Sequence, residues 1–243
     1  ATLHRFLAAG ARFGVRKDVI VPAYGMAEAT LAISFTRPGE LYRMVPAEPG
    51  AATADRIALG RPLPGGEVRV VGPDGTALPA ETVGELQIRG ANVSAGYRTR
   101  DGTEPITDAA GWMASGDLGY LTEDGQPVIC GRSKDALIIS GRTVIPEDVE
   151  RCVAGAVTGV RPGGVVAVRI PSSPDREGFA VVVESPDYDD PAEADRISAE
   201  VGRRIFDELG LSPRTVHVVA PGWVPKTSSG KLRRGETAQR LMQ

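Results

Sequence analysis

Histidine and cysteine are nearly absent from this 243-residue sequence, which holds only His4, His217, Cys130 and Cys152. The cysteines stand in apolar stretches without metal-ligand spacing, so a structural zinc site and a disulfide framework are both excluded. The simpler reading is a reduced, cytoplasmic protein. No apolar run reaches the ~18 residues of a membrane span, and no charged-then-apolar signal opens the chain. Positive charge is not in excess: 28 Lys and Arg face 31 Asp and Glu, for a net charge of -3. That balance argues against a dedicated nucleic-acid binder. Lysine itself is scarce, with only Lys17, Lys134, Lys226 and Lys231 among the basic residues. Where so Arg-rich a chain keeps Lys, a compact charge on a flexible stem is the property required. An initiating Met is also missing. The chain opens directly on "ATLHRFLAAGARFG", which reads as a cut made inside a longer protein.

What is present is ordinary globular material, 42% hydrophobic and 24% charged, enough for one large or two small domains. Apolar residues at helical spacing predict a helix over 2–13, and "VIVPAYG" predicts a short buried strand ending at Gly25. Residues 31–60 read as irregular, with Pro38, Gly39, Pro46, Pro49 and Gly50 marking loops. Three runs, "GEVRVVGPDG", "VGELQIRG" and "LGYLTEDGQPVICGR", then read as strands, with Asp74-Gly75 and Asp124-Gly125 as hairpin turns. Short strands so closely spaced predict a small barrel or folded sheet over roughly 57–130.

After Arg132 the pattern changes. "ALIIS" is a strand, and Pro146 opens a helix whose first turn carries Glu147 and Asp148, where carboxylates complement the dipole. "GVVAVRI", "FAVVVE" and "VHVVA" are strands, and "ESPDYDDPAEAD" is a solvated acidic loop. "RISAEVGRRIFDEL" is an amphipathic helix stopped by Gly210. The class is α+β (α/β), with a small α+β domain filling the C-terminal part.

Near the end stands "PKTSSGKLRR", 225–234. It imitates a phosphate-binding loop, but that motif needs Gly six positions before its Lys and Ser or Thr directly after. Pro225 and Leu232 hold those positions, and the chain remaining is read as too short for the helix that would face the phosphates. Lys231 therefore needs another role.

Four stretches in order supply one: "YGMAEAT" (24–30), "GWMASGDLGYL" (111–121), "GRSKDALIISGRTVIPEDVE" (131–150) and "PKTSSGKLRR", with "GELQIRGANVSAGY" (84–97) among them. Together they resemble the adenylate-forming superfamily of acyl-CoA synthetases, peptide-synthetase adenylation domains and fatty-acyl-AMP ligases. The resemblance implies that 1–133 is the C-terminal part of a large adenylation domain, including a distorted β-barrel subdomain. It implies that 134–243 is a small mobile domain. The reaction it implies is attack of a carboxylate on the α-phosphate of ATP, anion upon anion, so catalysis rests on positioning and charge neutralisation. By resemblance Glu28 holds Mg²⁺, a hard cation suited to oxygen ligands, and Tyr24, Gly25, Met26 and Ala27 form the adenylate wall. Asp117 and Arg132 take the two edges of the ribose, one accepting and one donating. Lys134 is the hinge and Lys231 the catalytic lysine, while Lys226 is a plain surface residue.

Ala27 where most relatives have Thr, the segment leading into "YGMAEAT", and the extra chain over 31–60 all resemble the fatty-acyl-AMP ligase branch. That implies a fatty acid as substrate and an acyl carrier protein as acceptor. An acyl-CoA ligase is the close alternative, and a non-catalytic module docking a carrier protein through Arg203 and Arg204 is the third. In the family the phosphate loop and most of the acyl pocket precede "YGMAEAT". The isolated chain is therefore expected to be inactive, with the remaining N-terminal part of the enzyme as a required partner.

Overall fold

A computed structural model describes residues 2–46, 54–139, 141–170 and 178–243. The chain divides into two compact units, Ala1–Ser133 and Lys134–Gln243. Among the described residues no helix is long and apolar enough to cross a membrane.

The first unit opens with helix α1, Thr2–Ala11. It ends short of the expected residue 13 because the Phe13 and Val15 amides both turn back to the Gly10 carbonyl. The expected buried strand is also shorter, only Ala23–Tyr24, paired with Ser34–Phe35. Val19 and Val21 are exposed instead, and Pro22 has no N–H to offer a ladder. The stretch read as irregular is more ordered than expected, since Met44–Pro46 pairs with Ala54–Ile57. Pro49 and Gly50 lie outside the described residues.

The centre of the unit is a four-stranded antiparallel sheet in the order Pro127–Arg132, Met113–Leu121, Gly84–Arg89, Glu67–Val71. This is the folded sheet that the closely spaced strands imply. Alternate residues of these strands, Val70, Leu86, Ile88 and Met113, bury against Tyr24, Ala29 and Ile33. Each fully buried apolar side chain of this size contributes about 1.5–3 kcal/mol. Burial of Tyr24 and Ala29 thus seats the "YGMAEAT" run on the sheet. Asp124-Gly125 joins two strands as expected, the Gly125 amide donating to the Thr122 carbonyl. A ribbon of Gly96–Thr99 against Gly102–Pro105 was not foreseen.

In the second unit Leu137–Ile139 pairs with Arg142–Val144. Helix α2, Pro146–Val153, follows with Pro at its start. Strand Gly178–Glu184 is central, antiparallel to Val165–Ile170 and parallel to Thr215–Val219. Helix α3, Pro191–Leu209, makes the crossover a parallel pair requires. It begins earlier than expected because Asp190 caps it, accepting from the Ala192 and Glu193 amides. Part of the acidic stretch is therefore a helix cap and first turn rather than loop.

The central strand is buried on both faces. Phe179, Val181 and Val183 face Val149, Val153, Ile197, Val201 and Ile205. Ala180 and Val182 face Val224, with Trp223, Leu232, Ala238 and Leu241 packed beside them. That second layer includes helix α4, Arg234–Leu241, and corrects the expectation that too little chain remained for a helix. So short a helix is marginal alone, and the packing of partly buried Ala238 and Leu241 against the sheet supports it.

Candidate active site

The strand register brings Asp117 and Arg132 directly opposite each other in the sheet of the first unit. Arg132 Nε lies 3.0 Å from Asp117 Oδ1, and the Tyr24 hydroxyl donates to Asp117 Oδ2 at 2.6 Å. Pairing between Met113–Leu121 and Gly84–Arg89 shifts register between Ala114 and Leu118. Such a bulge re-aims side chains at a sheet edge, and Gly116 supplies its left-handed residue with φ 70°. Inside the bulge the Ser115 hydroxyl donates to the Leu86 carbonyl and accepts from the Asp117 amide. Asp117 is only 5% exposed, so each oxygen keeps a donor, as a buried carboxylate must. Burial, then the bond to Asp117, pushes the Tyr24 phenol well above its ordinary range.

Beside this triad opens a cleft of about 320 Å³ lined by Met26, Glu28, Tyr97, Met113, Ser115 and Arg132, among others. Glu28 sits on a short 3-10 turn, Ala27–Ala29, entered from an extended Met26. Gly25 is indispensable there, because a Cβ would stand 1.6 Å from the Leu31 carbonyl oxygen. The turn is stapled from outside. Asn92 Nδ2 donates to the Ala29 and Ala32 carbonyls, and the Ser94 amide donates to the Glu28 carbonyl. The Tyr97 hydroxyl donates to Glu28 Oε1 at 2.6 Å. That bond, then Glu28's own amide and, more weakly, the charge of Arg132, holds the Glu28 carboxyl below its usual range. An ionised oxygen donor on a cleft wall is the chemistry a Mg²⁺ ion takes.

Of the site residues named from the sequence, Tyr24, Met26, Glu28, Asp117 and Arg132 thus meet within one unit, with Gly25 and Ala27 building their backbone. Asp117 lies behind the cleft rather than on its wall, which Arg132 and Ser115 form. Tyr97, Ser115 and Asn92 escaped the sequence reading. Asn92 and Tyr97 stand in "GELQIRGANVSAGY", whose overall shape alone carries the resemblance.

Lys134 begins the second unit, inside the short turn Ser133–Asp135. Lys231 lies on an exposed tight hairpin. The Thr227 amide donates to the Lys231 carbonyl at 2.9 Å, the Gly230 amide to the Thr227 carbonyl at 2.8 Å, and the Lys231 amide to Thr227 Oγ1 at 3.1 Å. These amides are spent inside the turn and do not form an anion cradle. Lys226 is exposed at the surface, its ammonium donating to the Gly163 carbonyl at 2.8 Å. Arg203 and Arg204 are paired with Asp207 and Glu208 one turn along α3.

A family profile described as AMP-binding enzyme matches residues 1–98. The chain is 45% identical to a Mycobacterium tuberculosis protein designated as a ligase, Rv1013, over 98% of this chain and 46% of that protein. It is 33% identical to the long-chain-fatty-acid–AMP ligase FadD28 of the same organism, over 100% of this chain and 46% of the relative. It is also 36% identical to FadD21, there named a fatty-acid–CoA ligase, over 96% and 44%. Among solved structures, one from work on fatty acyl-adenylate ligases of E. coli and L. pneumophila superposes with a TM-score of 0.81. It is 26% identical and covers 98% of this chain and 45% of that one. The chain spans about half the length of the curated relatives it matches.

Proposed function

This chain belongs to the AMP-binding, adenylate-forming family, and from that premise we propose that it carries part of the machinery that activates a fatty acid for transfer to an acyl carrier protein. In the first step a carboxylate oxygen bonds the α-phosphorus of ATP while the bond to the β-phosphate bridging oxygen breaks, releasing pyrophosphate. In the second, a phosphopantetheine thiol attacks the acyl carbonyl, AMP leaves, and the thiol proton passes to solvent. The observation that carries this reading is the meeting of Glu28 and Arg132 on one cleft, with Asp117 directly behind Arg132, the carboxylates held by Tyr97 and Tyr24.

Each residue has a task in that reading. Arg132, half-exposed at the cleft, donates to one edge of the ribose while Asp117 accepts from the other. The backbone from Tyr24 to Ala27 forms the wall on which the adenylate lies. Glu28 would hold Mg²⁺, which supplies charge neutralisation when bound. Lys231 stabilises the negative charge that develops on the α-phosphate, and Lys134 is the point about which the second unit turns between the two steps. Residues 1–133 are then the end of the large adenylation domain and 134–243 the small mobile one. The reading keeps the cytoplasmic setting inferred from cysteine usage.

Coenzyme A as acceptor is the second reading, favoured by the name of FadD21. A docking module without chemistry has less support, since Arg203 and Arg204 are already paired on their own helix.

The test is pyrophosphate release from ATP with a panel of carboxylic acids, using this chain and a polypeptide extended upstream to its relatives' length. Acyl transfer to holo-carrier protein and to coenzyme A is then compared. Lys231→Ala is expected to lower adenylation by roughly 10²–10³-fold, the effect of losing one well-placed donor to developing charge. Unchanged pyrophosphate release in that variant would overturn the assignment of Lys231, and transfer to coenzyme A alone would favour the second reading.

A further inference from the structure

The two limbs of the Lys231 hairpin are tied down by different groups. On the incoming limb the Val224 amide donates to Glu184 Oε1 at 2.9 Å. Glu184 is fully buried and paired with Arg161 at 2.9 Å. On the outgoing limb stands Arg234, whose side chain is 13% exposed. Its Nε and Nη2 donate to Glu150 Oε1 and Oε2 at 3.0 and 2.8 Å. The same guanidinium pairs with Glu147 Oε1 at 2.9 Å and Asp135 Oδ2 at 3.3 Å. Glu150 also accepts from the Ala167 amide of the sheet at 3.1 Å.

Such a cage is a poor device for stability alone, since a buried ion pair is often replaceable by well-packed apolar residues without loss. What it does is fix geometry. A planar fork with bidentate contact to one carboxylate and single contacts to two others has little freedom of direction. Its partners come from two places: Glu147 and Glu150 from α2, and Asp135 from the turn that contains Lys134. Burial pushes the Glu150 carboxyl up, against the pull of Arg234 and the Ala167 amide. Asp135 supplies a second hold.

We propose that Arg234 is a positioning residue for Lys231, tying the hairpin that bears the lysine to the Ser133–Asp135 turn through Asp135 and to α2 through Glu150. The inference rests on the reading of Lys231 as the lysine that meets the α-phosphate. Orientation of the arm is then set from the turn at Lys134, and a change of that turn is transmitted to Lys231 through one guanidinium.

Asp135→Asn tests this most cleanly, because it weakens the link to the turn and leaves both α2 carboxylates on Arg234. The first readout is native-state hydrogen exchange in the 243-residue chain. The Thr227, Gly230 and Lys231 amides are expected to exchange several-fold faster, while those of strand Gly178–Glu184 keep their rates. The second is adenylation by the upstream-extended polypeptide, where kcat is expected to fall roughly tenfold with KM for ATP unchanged, as for a misplaced catalytic group. Arg234→Lys, keeping charge without the fork, is expected to fall between wild type and Arg234→Ala in both readouts. Unchanged hairpin exchange and kcat in Asp135→Asn would overturn the proposal, as would equal acceleration of the hairpin and the central strand. Lys231→Ala in the same assay separates the two ideas: if it keeps full activity the reading of Lys231 fails, and the exchange data still decide whether Arg234 holds the arm.

Discussion

A single hydroxyl decides how Asp117 is held. Tyr24 reaches it from the "YGMAEAT" run, some ninety positions away in sequence, and supplies the donor for Oδ2. Tyr24→Phe leaves that buried oxygen short of a partner and is expected to destabilise the first unit by about 1–3 kcal/mol. Urea denaturation of the whole chain measures it, and a loss below ~0.5 kcal/mol would mean that water already satisfies the carboxylate. At this scale the sequence exposed part of the site. Glu28, Asp117 and Arg132 stood out as candidates because their motifs resemble those of the adenylate-forming superfamily. Tyr97 was not, because nothing in a run of residues reveals that a ribbon will fold its hydroxyl onto a carboxylate 69 positions earlier.

At the scale of elements, the Asp124-Gly125 turn is held by its own side chains. Hydrogen bonds from Gln126 and Thr122, with the charge of Arg43, lower the Asp124 carboxyl to about 2. A carboxyl held below its ordinary value of roughly 3.9 contributes stability that is complete above that pH and lost as pH falls through the folded value. Asp124→Asn is therefore expected to flatten the acid limb of the stability profile between pH ~4 and ~2. The carboxylate is 37% exposed, so the effect is under ~1 kcal/mol. Thermal unfolding across that range, wild type against variant, checks it; parallel curves would contradict the expectation. Elements of this kind, punctuated by Asp-Gly, by Pro146 or by Gly210, were legible because the signal is local. Helix α4 was not, since its existence depends on Ala238 and Leu241 finding the underside of a sheet built earlier in the chain. The strand at Ala23–Tyr24 was overestimated because apolar residues such as Val19 and Val21 turned out to be exposed.

At the scale of the molecule, each unit has a core of its own. The residues packed around Phe179 all belong to 134–243, and those around Tyr24 and Leu86 all belong to 1–133. Residues 134–243 are accordingly expected to fold when expressed alone, with cooperative thermal unfolding and slow exchange in Gly178–Glu184. A non-cooperative melt would show that this unit needs more than its own core. Class and the succession of strands and helices along the chain came through from composition and turn spacing, whereas the meeting of Asp117 with Arg132 depended on a register that spacing cannot give. That register has a consequence for assembly. Asp117 and Arg132 stand on opposite strands of the hairpin closed by Asp124-Gly125, so a slip of one residue would turn one of them to the other face. A molecule gripping both side chains would act as a splint across the hairpin, rewarding only the correctly zipped form. Ligand occupancy and quality control of the sheet would then be the same event.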